Sequence, residues 1–124
     1  MISFRIVCSL TAVVCIVLFG IFLAAPGFYV AVYGVRADAS GMFLGNRAAP
    51  VFLGLAALCW LLRRQTEPEV QAAVSLSMIL IFGGIKITGI WAYFQDVATA
   101  SILVAAAGEC AIAFAFGQTL RTRH

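Results

Sequence analysis

Arg47, Lys86 and Glu109 stand inside long apolar runs, where a free charge has no solvent. A charged side chain at the centre of a membrane span costs about 2.5–3.5 kcal/mol on insertion scales, so such residues are paired, protonated or used. Two cations facing one carboxylate leave one surplus positive charge. With the amide of Asn46 beside them, they could hold an anionic headgroup, a carboxylate or a proton-linked solute. Each also has a plain structural role open to it. The stems of Arg47 and Lys86 are long enough to snorkel to the headgroups. Glu109 has a short stem, so at mid-depth it must be protonated, bridged to a cation or turned toward water.

Little else in the chain can do chemistry. Cys8, Cys15, Cys59 and Cys110 all lie in apolar runs without a C-x-x-C pair, and a buried free cysteine packs as a small hydrophobe. Cys15 and Cys110 share a depth close to mid-span, so a contact between them is open. His124, the single histidine, is the last residue of the sequence, and no His-based metal site is expected among the helices. No nucleophile–base pair is visible. The expectation is therefore no catalytic residue, no metal and no cofactor.

The elements that must carry these residues follow from composition. The 124 residues are 64% hydrophobic and 10% charged, against about 45–50% and 25% in a soluble domain, so the bilayer is the natural solvent. The net charge of +3 contains no basic run, which argues against a nucleic-acid partner. Four apolar segments, about 4–25, 42–62, 70–94 and 97–118, are each long enough to cross a hydrocarbon core of roughly 30 Å. The predicted fold is an all-α, four-transmembrane-helix bundle forming a single domain over residues 1–124. The first segment is read as a retained helix rather than a signal peptide, because its apolar region is long and Pro26 follows the small Ala24-Ala25 pair.

Punctuation sets the boundaries. Pro26-Gly27 ends the first span, and Phe28, Tyr29 and Tyr33 suit the headgroup level. Residues 34–41 form the longest loop, with Asp38 or Ser40 placed to cap the second helix. Pro50 is expected to bend that helix. Thr66 and Glu69 make an S/T-x-x-E capping box for the third, and Gln95-Asp96 is a very short turn into the fourth. Gly83-Gly84 suits close packing, or local unwinding beside Lys86.

Arg5, Arg63, Arg64, Arg121 and Arg123 fall on one side and Arg36 on the other, which places both termini in the cytoplasm. On these boundaries Arg47 and Lys86 lie in the outer half of the membrane. Glu109 lies near the midplane, roughly 8 Å deeper.

The arrangement of Pro26, Tyr33-Gly34, Arg47 before Gly54-Leu55, Lys86 and Glu109 resembles a family of small four-span bacterial inner-membrane proteins known only as a domain of unknown function. The resemblance implies a bacterial inner-membrane location and draws attention to the same three charges. It implies no activity. Where the family pattern has Arg in the third span this chain has Lys86, a point charge in place of a planar fork. Small multidrug exporters differ in requiring a Glu in the first span, and quinone–thiol oxidoreductases in requiring loop cysteine pairs.

Three roles fit this reading. The first is a structural or accessory subunit that packs in a larger membrane complex or homo-oligomer. The second is a binder or carrier of a small anionic or lipophilic solute at Arg47, Lys86, Glu109 and Asn46. A membrane enzyme using Glu109 as acid or base comes third. Membrane lipid is a partner in every case.

Overall fold

A computed structural model describes residues 3–121, so Arg123 and His124 lie outside the described residues. The described chain is helical throughout its ordered elements: α1 (Phe4–Ala24), α2 (Pro26–Ala31), α3 (Ala39–Leu62), α4 (Pro68–Phe94) and α5 (Ser101–Arg121). All but α2 are long and apolar enough to cross a membrane. Their outward faces carry exposed Leu, Ile, Val and Phe side chains, among them Leu61, Leu80, Val104 and Phe114. A surface this apolar is solvated by lipid, and the chain is a multi-pass membrane protein.

Local chemistry explains each boundary. Ser3 caps α1, its hydroxyl accepting from the Ile6 N–H at 3.3 Å. Pro26 stops α1 and starts α2, because a proline has no N–H to give but fits the first helical position. The sequence marks this stretch only as the end of the first span and an aromatic belt, without a helix of its own. Asp38 caps α3 as expected, accepting from the Gly41 N–H at 2.8 Å. The Thr66/Glu69 capping box does not form. With Pro68 at the first helical position, Glu67 becomes the cap residue and Thr66 falls one place outside it.

The turn into α5 is longer than the sequence suggests. Gln95 ends α4, Asp96 adopts a left-handed φ of 57°, and the helix resumes only at Ser101. Two bonds hold this segment against the α2 end of the chain and a third braces it internally. The Thr99 N–H donates to the Tyr33 carbonyl (2.8 Å), the Ser101 hydroxyl donates to the Val32 carbonyl (2.7 Å), and the two side-chain hydroxyls meet at 2.7 Å. Gly34 makes the close approach feasible. Its φ is +74°, and a Cβ there would stand 2.5 Å from Thr99 Cγ2.

Packing is uneven along the bundle. α1 lies along α3 and α4 along α5, and the two pairs meet chiefly through α1 and α5. The core joining them gathers at the end that carries Phe4 and Arg121. Cys8, Cys59, Met78 and Phe116 are almost fully buried there, Cys15 and Phe82 continue the core to mid-span, and the Cys59 thiol lies 3.9 Å from the Met78 sulfur. Ser75 and Thr119 satisfy each other across α4 and α5 at 3.0 Å. Arg63 lies over the Trp60 ring, 3.5 Å from its centroid, and anchors this end of α3. Gly83 and Gly84 have open space where a Cβ would be, and α4 runs unbroken through them. Neither packing nor unwinding explains the pair.

Candidate functional site

Away from this core, toward the end held by the Thr99–Tyr33 bond, the helices part around two adjoining cavities. One, of about 410 Å³, is bounded by residues from α1, α3, α4, α5 and the α2 segment; the other is about 220 Å³. They share Tyr29, Tyr33, Ile85, Ala105 and Glu109. Glu109 is half-buried and supplies the single formal charge among the lining residues. No described residue gives its carboxylate a hydrogen bond or an ion pair.

Tyr29 and Tyr33 stand opposite it. Tyr29 lies in α2 and Tyr33 in the turn that follows it, four residues on. Their rings meet edge-on at 5.2 Å, Tyr29 tilts against Phe22 at 4.6 Å, and Phe22 stacks on Phe52 at 5.2 Å. Burial pushes the Tyr29 phenol well above its ordinary range. The hydrogen bond with Tyr33 and the neighbouring Glu109 carboxylate act in the same direction. Tyr29 thus remains a neutral phenol, able to donate or accept.

The three charges share a level but not a face. Arg47, Lys86 and Glu109 each lie eight residues from the same end of their helices, about 12 Å by helical rise. Glu109 is higher than the sequence implies because α5 begins at Ser101 rather than 97. Arg47 is exposed on α3, its guanidinium 5.7 Å from the ring of Phe43 one turn back, and it lines neither cavity. The half-buried Lys86 points its ammonium at the Cys110 sulfur, 4.0 Å away. Cys110 is exposed while Cys15 lies in the core, so the contact weighed between them is not made.

Asn46 has a different partner. Its amide faces the carbonyls of Phe22 and Leu23 at 3.0 and 3.3 Å, which turns its nitrogen toward them. In a continuous helix the Phe22 carbonyl would accept from residue 26. Pro26 has no N–H, so the Asn46 amide takes its place.

The cluster anticipated from sequence is therefore represented in the cavity by Glu109, with Lys86 one residue beyond the lining Ile85. From sequence Tyr29 and Tyr33 suit the headgroup belt, whereas in the fold both line the cavities. The available signal was Pro26 as a helix start followed by two tyrosines at i and i+4. No group of three or more His, Cys, Asp or Glu among the described residues is arranged to hold a metal ion. Compared with protein-family models, curated proteins and solved structures, the chain matches none of them.

Proposed function

We propose that this protein, in a bacterial inner membrane with both termini cytoplasmic, binds or carries a small lipophilic solute in the cavity beside Glu109. The observation that carries this reading is the cavity itself. A volume of about 410 Å³ falls within the usual range of ligand pockets, and its wall is apolar apart from a carboxylate and two phenols. The proposed orientation rests on Arg5, Arg63, Arg64 and Arg121 at one end of the bundle against Arg36 at the other.

Filling the cavity tests the reading. Ala105 faces both cavities, so Ala105→Phe should occupy the space that a solute would take. Protein purified in mild detergent and examined by native mass spectrometry should carry a small co-purifying molecule, which the variant lacks at unchanged thermal stability. Identical adduct spectra for the two proteins would count against the cavity.

The accessory-subunit reading rests on a second feature, a groove of about 400 Å³ on the outer flank between α1 and α3, lined by Ala12, Ile16, Leu53, Ala57 and Trp60. A neighbouring helix or an acyl chain fills such a groove equally well, so it selects no partner. The accessory role therefore stands second.

A further inference from the structure

Resting on the cavity reading, we infer that the solute is a lipophilic amine, bound as its ammonium form by Glu109 and the rings of Tyr29 and Tyr33. A census of the walls supports this. The ionisable groups lining the two cavities are Glu109 from α5 and the phenols of Tyr29 and Tyr33 from the α2 segment. α1 contributes Val14 and Leu18, α3 contributes Phe52, and α4 contributes apolar side chains with Thr88 at one edge. The two cations that could have neutralised the carboxylate are placed elsewhere, Arg47 over Phe43 and Lys86 against Cys110.

Each ligand class meets this wall differently. An anion is repelled by Glu109 and finds no cation among the lining residues. A neutral molecule leaves an ionised carboxylate uncompensated in a low-dielectric site, or requires it to stay protonated. An alkylammonium supplies the missing charge, donates hydrogen bonds to the carboxylate and presents its polarised C–H and N–H groups to two tyrosine faces. Its hydrocarbon body then fills the apolar remainder. A proton competes for the same carboxylate, so amine binding weakens as pH falls.

Octylamine, octanol and octanoate share one chain length and differ in charge, which makes them suitable probes. Binding of each, radiolabelled, to the full chain in zwitterionic nanodiscs would be measured against empty discs. Octylamine should bind about tenfold more tightly than octanol, because its ammonium pairs with the carboxylate while the hydroxyl offers only an uncharged donor. Glu109→Gln should abolish that preference while octanol binding persists, and Glu109→Asp should retain it. Octanol matching octylamine, or octanoate exceeding both, would overturn the amine assignment and leave a lipophilic cavity in place. If none of the three binds, the cavity reading fails and the amine assignment fails with it.

Discussion

Asn46 shows how much one amide can matter where water is absent. Pro26 leaves the Phe22 carbonyl without its helical donor, and in lipid an unmet carbonyl has no substitute partner. Asn46→Ala should lower resistance to unfolding by about 0.6–1.7 kcal/mol, from the average to the largest value found for hydrogen bonds between membrane helices. Asn46→Asp should cost more, because it aims acceptors at acceptors. Denaturation in mixed micelles followed by circular dichroism would check both, and an unchanged Asn46→Ala would refute the assignment. The site residues were legible in type, and the common depth of Arg47 and Lys86 followed from fixed helical rise. Glu109, placed about 8 Å deeper from sequence, shares their level because α5 starts four residues later. Their facing was not legible. Each residue turns the helix by about 100°, so a start misplaced by four residues, as at Ser101, leaves little knowledge of which neighbour a side chain meets.

The four long helices were legible because lipid tolerates no other spanning element built from one continuous apolar run. The connections were harder to read, since their conformations depend on partners distant in sequence. Asp96 turns left-handed and Thr99 bonds the Tyr33 carbonyl, so apolar Val97 and Ala98 belong to a turn despite their composition. The same contact makes Gly34 the sensitive position of the α2 segment. Gly34→Ala combines a left-handed backbone with a Cβ 2.5 Å from Thr99 Cγ2. It should destabilise the protein by about 1–3 kcal/mol from backbone strain, with the clash in addition. Adding Thr99→Ala should recover only the clash, so the double variant should melt between Gly34→Ala and the parent. Full recovery would mean that the left-handed conformation costs nothing.

At the level of the whole molecule, the buried core and the Thr99–Tyr33 contact hold the two helix pairs together at opposite ends, with the cavity between them. Val14 and Gly108 line that cavity while remaining exposed at the bundle's flank, so the space opens sideways between α1 and α5. A chamber that opens on the lipid-facing flank of a bundle is entered from the bilayer. The relevant concentration of any solute that enters it is then its mole fraction in lipid. If the cavity is the binding site, apparent affinities quoted per volume of buffer should drift as lipid is added at fixed protein. The same data replotted per lipid should fall on one curve. A hydrophobic compound present in trace amounts in water could thus saturate the protein, and its partition coefficient would govern occupancy as strongly as any contact inside the bundle.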